Sequence, residues 1–224
     1  MMKSTTNRTT EDYIKNIYTL QKSGELVTTS ALAERMQLSD PSVTDMIKRL
    51  SGKGYVRHAP YRGAELTAAG KAVAMKIVRR HRLWEMFLVQ HLGYTWDQIH
   101  DEAERLEHVT SELLETKLDE ALGFPLADPH GDPIPSADGT MDQIEYVSLA
   151  DYDAGARVRV LRVSDRDPLI LQHAAQLGLG LGTVLSIDEK RPFDGSMRLR
   201  VGGTHHYVSR VVAQAIFVER EVEA

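Results

Sequence analysis

Ser39-Asp-Pro-Ser-Val-Thr-Asp-Met-Ile-Lys-Arg-Leu50 is the stretch that decides how the first third of this chain folds. Ser39-Asp40-Pro41 is a helix-start signal, a capping residue followed by proline in the first turn. Val43, Met46, Ile47 and Leu50 then recur at helical spacing and face inward, and Gly52 and Gly54 end the helix. Upstream, residues 9–22 carry Tyr13, Ile14, Ile17, Tyr18 and Leu20 at the same spacing, and Ser30-Ala-Leu-Ala-Glu-Arg-Met36 reads as a short second helix. Downstream, Tyr55–His58 and Ala64–Thr67 read as two short strands around a Pro60-Tyr-Arg-Gly63 turn. Two helices, a recognition helix and a hairpin predict a winged helix-turn-helix. The start of the third helix suits phosphate, because Ser39, Ser42 and Thr44 are small hydrogen-bonding residues beside helix N-terminal amides. Pro41 shapes that start, Lys48 and Arg49 add charge further on, and Arg62 stands in the wing. With few long polar side chains present, shape readout and phosphate positioning carry much of the expected specificity for double-stranded DNA.

Beyond this module a long helix is expected from Ala68 to about His91. Another follows from Thr95 to about Glu107, continuing or followed by a further helix through Leu122. Phe124 to Gly139 is rich in Pro, Gly and Asp and reads as a linker. After Ser148 the texture becomes β: Ala156–Val163, Thr183–Ile187, Met197–Val201 and Ala215–Val218 alternate or run apolar between Gly-rich turns, with a short helix at Leu169–Leu177. The expected fold class is α+β, in three domains: 1–72, 73–142 and 143–224. They are a winged helix-turn-helix, a helical domain and a small β-barrel.

The chemistry concentrates in the middle domain. His100-Asp-Glu-Ala-Glu104-Arg-Leu-Glu107-His108 lies in one helical-looking run, and at roughly 100° per residue its four key side chains share a quarter of the helix circumference. His81 and Glu85 form a second imidazole–carboxylate pair at i, i+4. On spacing alone, an acidic stripe beside Leu106, Val109, Leu113 and Leu114 is an ordinary solvated face. Converging imidazole nitrogens and carboxylate oxygens, however, also make a nest for a divalent first-row metal. The chain has no cysteine, which excludes disulfides, thiolate zinc sites and iron–sulfur clusters.

Charge sharpens the contrast. Formal net charge is −5, yet residues 1–72 hold 11 Lys/Arg against 7 Asp/Glu, a balance of +4, and residues 73–142 hold 6 against 14, a balance of −8. A basic head beside an acidic middle fits a DNA module next to a cation-binding module. Apolar runs are too short to span a membrane. The start Met-Met-Lys-Ser-Thr-Thr-Asn-Arg8 has no apolar core after its lysine, so a cytoplasmic location without membrane association is expected.

Five motifs resemble the diphtheria toxin repressor family of iron- and manganese-dependent bacterial regulators. They are Thr10-Glu-Asp-Tyr-Ile14, Ser39-Asp-Pro-Ser-Val-Thr44, Arg80-His-Arg-Leu-Trp-Glu85, the run from His100 to His108, and Pro129-His-Gly-Asp-Pro-Ile-Pro135. The resemblance implies a helical metal-binding and dimerisation domain and a C-terminal SH3-like, FeoA-like barrel. It implies a primary metal site of Asp12, Glu104, Glu107 and His108. An ancillary site would use His81, Glu85 and His100, completed from the barrel by Asp167, with Asp165 competing. The iron-responsive branch has methionine and cysteine where this chain has Asp12 and Glu104. The manganese branch has aspartate and glutamate there, and hard oxygen ligands suit Mn²⁺. The chain departs from the short manganese regulators at Lys15, where they have a second carboxylate one turn after the aspartate, which argues against a closely spaced two-ion cluster.

The implied function is that of a non-enzymatic, manganese-activated homodimeric repressor of metal uptake genes, bound to an inverted-repeat operator. Fe²⁺ is the alternative physiological ion, and Co²⁺, Ni²⁺, Zn²⁺ or Cd²⁺ are expected to substitute in vitro. An iron-responsive regulator of the same family is the nearest alternative. A metallohydrolase is more distant, since no HExxH motif exists. His58, His91, His173, His205 and His206 match no ligand position.

Overall fold

The computed structural model describes residues 7–21, 25–60, 62–96, 98–141 and 144–221. Residues 1–6, Tyr61 of the expected wing turn, and the expected domain boundary at 142 and 143 lie outside the described residues.

The N-terminal elements form because their caps and apolar spacing agree. Helix α1 (Arg8–Leu20) starts at Asn7, whose side chain accepts from the Thr10 amide at 3.0 Å, and it buries Tyr13, Ile14 and Ile17. Helix α2 (Thr29–Met36) is capped by Thr28 and ends on Gln37, at φ 55. Helix α3 (Asp40–Gly52) buries Val43, Ile47 and Leu50 and carries proline in its first turn. Ser39 occupies the cap position of α3 but makes no side-chain cap bond, so the expected capping role is filled by proline geometry alone.

Strands β1 (Val56–Ala59) and β2 (Gly63–Leu66) pair antiparallel, Val56 opposite Leu66, and form the wing. Val27 and Ala64 exchange backbone bonds at 2.8 and 2.9 Å. A side chain at Gly63, whose φ is +125, would run into the Val27 carbonyl. Ile14, Ile17, Leu32, Val43, Ile47 and Leu50 are fully buried together, each contributing roughly 1.5–3 kcal/mol of transfer free energy.

Helix α4 (Ala68–Leu92) is the expected long helix. Helix α5 (Ile99–Leu106) is shorter at both ends than its sequence implied, and α6 (Glu112–Ala121) is separate. Glu107 and His108 therefore lie in the turn after α5, not on it. The Thr110 hydroxyl donates to the Leu106 carbonyl at 2.7 Å and helps close that turn.

In the C-terminal region, β3 (Val147–Ser148), β4 (Arg157–Val163), β5 (Val184–Lys190), β6 (Met197–Val201), β7 (Thr204–Val208) and β8 (Ile216–Arg220) form one sheet, in the order β3-β8-β4-β5-β6-β7. All its pairings are antiparallel. Register shifts at Val160/Arg162 and Ile187/Glu189 mark bulges, the usual device for bending a sheet toward closure. Val158, Val160, Leu185, Ile187, Met197, Leu199 and Val218 fill its core. Helix α7 (Pro168–Gln176) matches the expected short helix. The sequence reading missed β3, β7 and helix α8 (Arg210–Ala215). In β7 it saw a histidine pair, not a strand.

The chain divides into two compact units: Met1–His81 with Glu104–Glu115 and Pro135–Thr140, and Arg82–Ala103 with Thr116–Ile134 and Met141–Ala224. The three expected domains are boundaries of sequence, whereas these units follow packing, which places the Glu104–Glu115 segment with the DNA-binding elements.

Candidate metal centre

Asp12, Glu104, Glu107 and His108 each offer a ligand atom, all within 4.8 Å of one another. Helix α1 presents Asp12 and the end of α5 presents Glu104. The turn that follows turns back Glu107 and His108. His108 Nε2 lies 2.8 Å from Asp12 Oδ1 and 3.4 Å from Glu107 Oε1. That nitrogen is buried and has no well-aligned hydrogen-bond partner. On its other side, His108 Nδ1 lies 2.7 Å from Glu11 Oε2. This is the arrangement in which a carboxylate fixes the tautomer and orientation of an imidazole so that Nε2 faces a cation.

Burial disfavours a charged His108, but the Asp12 and Glu11 carboxylates, with Glu107 behind them, more than offset it and raise its pKa to about 9. A proton thus holds the nest together when no ion does. One imidazole nitrogen and three carboxylates without sulfur fit a hard-to-borderline divalent ion, and the buried Nε2, 2.8 Å from Asp12 Oδ1, is the atom such an ion would take over from the proton. The sequence reading did not assign Glu11 a role. Its only signal was its place beside Asp12.

Glu107 is wholly buried and has two further neighbours. Lys15 Nζ lies 2.7 Å from Glu107 Oε2 and 2.6 Å from Glu104 Oε1. His81 Nδ1 lies 2.5 Å from the same Glu107 oxygen. The structure therefore brings His81 to Glu107.

Glu85 and His100 come together in the second unit, where His100 Nδ1 lies 3.7 Å from Glu85 Oε1. Glu85 is buried there, but the His100 side chain is 52% exposed. His130, which the sequence reading passed over, is buried with an unpartnered Nδ1. Burial lowers its pKa, against the opposing pull of Glu85, Asp165 and Asp132. The loop holding it is locked by Asp128 Oδ1, which accepts from the His130 and Asp132 amides at 2.9 Å. Burial, with Glu85 and Asp132 nearby, raises the Asp128 pKa despite Arg82. Of the two barrel candidates, Asp167 caps α7 by accepting from the Leu169 amide at 2.9 Å. Asp165 is the one whose charge reaches His130. His205 is a surface residue of β7, paired with Asp188 at 2.9 Å.

At the expected DNA face, Ser39, Pro41, Ser42, Lys48, Arg49 and Arg62 are exposed. Thr44 is half-buried and donates its hydroxyl to the Asp40 carbonyl at 2.8 Å. Ser42 is also in side-chain hydrogen-bond contact with Tyr13, the neighbour of Asp12. One residue thus separates the metal nest from a contact to the recognition helix.

A winged helix with an anionic imidazole–carboxylate nest on its first helix defines a cation-responsive DNA-binding protein. Comparison with known proteins gives the family. Residues 5–64 match the iron-dependent repressor N-terminal DNA-binding domain, residues 67–136 the iron-dependent repressor metal-binding and dimerisation domain, and residues 147–220 the FeoA domain. The iron-dependent repressor IdeR of Mycobacterium tuberculosis (strain ATCC 25618 / H37Rv) is 37% identical over 160 residues, 68% of this chain and 70% of that one. The diphtheria toxin repressor of Corynebacterium efficiens is 33% identical over 192 residues, 80% of this chain and 82% of that one. Among solved structures, a manganese-dependent transcriptional repressor in complex with manganese is 40% identical, with a TM-score of 0.87 over 95% of this chain and 100% of that one. The manganese regulator SloR is 34% identical, with a TM-score of 0.76 over 96% and 99%.

The chain belongs to the iron-dependent repressor family, the family of the diphtheria toxin repressor. It is a metal-responsive, DNA-binding transcriptional regulator and not an enzyme. Its C-terminal sheet is the SH3-like FeoA domain. Among the described residues, no helix is long and apolar enough to cross a membrane.

Proposed function

We propose that this regulator is activated by manganese and represses metal uptake genes, acting in the cytoplasm as a homodimer on an inverted-repeat operator. Asp12, Glu104, Glu107 and His108 are its ion-holding residues. The all-oxygen-and-nitrogen donor set carries the reading: Asp12 and Glu104 supply hard carboxylate oxygens where sulfur would favour softer ions. Solved neighbours named for manganese support the same choice. The relatives named iron-dependent keep Fe²⁺ as the second candidate.

Asp12 gives the switch its mechanism. An ion held between Asp12 and the Glu107–His108 turn ties α1 to that turn. Tyr13 then carries the constraint to Ser42 at the start of α3. In a two-fold dimer the recognition helices must meet successive major grooves ~34 Å apart, so fixing α1 and α3 sets that spacing. Metal and DNA binding are then coupled reciprocally, typically by about 1–3 kcal/mol. Val109, Leu113 and Leu114 are 77%, 71% and 41% exposed in the single chain, an apolar face suited to a second copy.

The deciding experiment titrates affinity for an inverted-repeat duplex against Mn²⁺, Fe²⁺ and chelator. Mn²⁺-dependent binding that weakens steeply with salt is expected. Equal affinity with chelator and with Mn²⁺ would remove the switch, and a response to Fe²⁺ alone would transfer it to iron.

A further inference from the structure

The recognition helix carries a carboxylate at the centre of the face it offers to DNA. Along α3, Val43, Ile47 and Leu50 are buried, while Pro41, Ser42, Asp45, Lys48 and Arg49 are exposed. At roughly 100° per residue Asp45 lies about 200° round the helix from Val43, the middle of the exposed face. Its side chain is 77% exposed. Lys48, one turn on and also exposed, approaches it at 3.5 Å, the outer limit of a hydrogen bond.

The helix itself gains little from this carboxylate. Asp40, the other acid of α3, stands in the first turn, where the helix dipole favours negative charge, and accepts from the Ser30 hydroxyl at 3.2 Å. Asp45 stands beyond that turn, and aspartate is a poor residue for a helix interior. A helix entering the major groove carries it toward the phosphates, whose repulsion lowers affinity for every sequence. What offsets that repulsion is a hydrogen-bond donor on a base edge.

A carboxylate only accepts, and the donors in the major groove are the N4 amine of cytosine and the N6 amine of adenine. Adenine sets its N7 acceptor beside N6, against the second carboxylate oxygen, whereas cytosine has no acceptor of its own there. Cytosine is the base that fits. Lys48 improves the match, because an acid and an ammonium one turn apart present acceptor and donor together. A C·G pair presents the complement, the cytosine N4 donor beside the guanine O6 acceptor.

We infer that Asp45 is a specificity-determining residue, which reads one cytosine in each half-site of the operator by accepting from its N4 amine. The inference deepens the proposed operator recognition and rests on α3 being the helix in the groove. Small side chains at Ser39, Ser42 and Thr44 leave the remaining positions to phosphate contacts and DNA shape.

The test uses wild type, Asp45→Asn, Asp45→Ala and Arg49→Ala as full-length protein. Each selects duplexes from a randomised pool with Mn²⁺, and in parallel with Fe²⁺, and affinities for the selected sites are then titrated. Wild type should select a C·G pair at one position of each half-site, and replacing that pair should weaken binding roughly 5- to 150-fold. Asparagine matches adenine N6 and N7, so Asp45→Asn should turn the preference to A·T at that position alone. Asp45→Ala should lose preference there, keep it elsewhere and bind unselected duplexes more tightly. Unchanged selection in both variants, as when Asp45 merely pairs with Lys48, overturns the inference. A wild-type preference at the affected position for a base other than cytosine overturns it too. Arg49→Ala separates this from the parent reading, since it should weaken binding to all sequences alike. If it leaves affinity unchanged and the Asp45 variants select as wild type does, α3 is not the helix in the groove. A uniform loss in Arg49→Ala with unchanged selection in the Asp45 variants refutes only the role of Asp45.

Discussion

Two regions of this molecule carry imidazoles beside carboxylates, and they are built differently. Around His108, donors from α1 and from the turn after α5 converge within 4.8 Å, and Glu11 holds the far nitrogen of the ring at 2.7 Å. Around Glu85, one imidazole stands 3.7 Å away with half its side chain in solvent. The second imidazole there, His130, is buried, and burial lowers its pKa. The first region is a pre-organised nest whose charges exceed what it can balance without a cation. In the second, Arg82 lies 3.4 Å from Asp128 and Arg162 lies 2.9 Å from Asp132, although burial, Glu85 and Asp132 still raise the Asp128 pKa.

The most direct way to break this comparison is to remove one imidazole from each region. His108→Ala should abolish metal activation and weaken Mn²⁺ binding by roughly 100-fold or more, since the nest loses its imidazole ligand and not merely an outer partner, whose loss costs roughly 10- to 100-fold. His100→Ala should change affinity only a few-fold, on the order of 0–1 kcal/mol for a half-exposed pair. Isothermal titration of both variants decides, and equal losses would erase the distinction between the regions.

Metal choice is the next largest effect. Asp12→Met with Glu104→Cys removes two negative charges and adds sulfur. Activation by Mn²⁺ should be lost while activation by Fe²⁺, Co²⁺ or Ni²⁺ persists or improves, because Mn²⁺ stands lowest in the affinity order and depends most on oxygen and charge. The readout is DNA affinity against each metal under anaerobic conditions. An unchanged ranking would move selectivity away from these two positions.

Glu11→Gln sharpens the comparison by testing what orients the ring. It keeps every proposed ligand but weakens the hold on His108 Nδ1, and should cost roughly 10- to 100-fold in metal affinity. No change would mean that packing alone positions the imidazole.

The smallest expected effect is on pH. His108 titrates at about 9 in the metal-free nest, so at neutral pH an ion must displace its proton. Apparent Mn²⁺ affinity should therefore rise about tenfold per pH unit between pH 7 and 8, where a histidine at its ordinary pKa near 6.5 would give a plateau. Because the folded pKa lies above the unfolded one, the same proton stabilises the metal-free protein below about pH 6.5, and this contribution is lost as pH rises through about 9. A flat affinity profile from pH 7 to 8 would show that His108 binds metal without releasing a proton.

The sequence by itself determined the winged helix and the long α4, because each depends on local spacing, whereas the proposed donors came from the family resemblance. Apolar residues at helical intervals, proline after Ser39 and glycine in the wing act within a few residues and can be read in order. It also marked Lys15 as out of pattern, but without a partner in view. Only the tertiary structure decided that α5 stops at Leu106 and that Glu107 and His108 turn away from it. A periodic reading cannot find a turn in which the Val109 amide and the Thr110 hydroxyl both bond back to the Leu106 carbonyl. Only the tertiary structure, too, brought Lys15 to Glu104 and Glu107 and Glu11 to His108, across 89 to 97 residues of chain. Charge balance in a buried cluster is a property of three-dimensional neighbours, and those neighbours are chosen by the packing of α1 against the rest of its unit, not by any interval along the sequence.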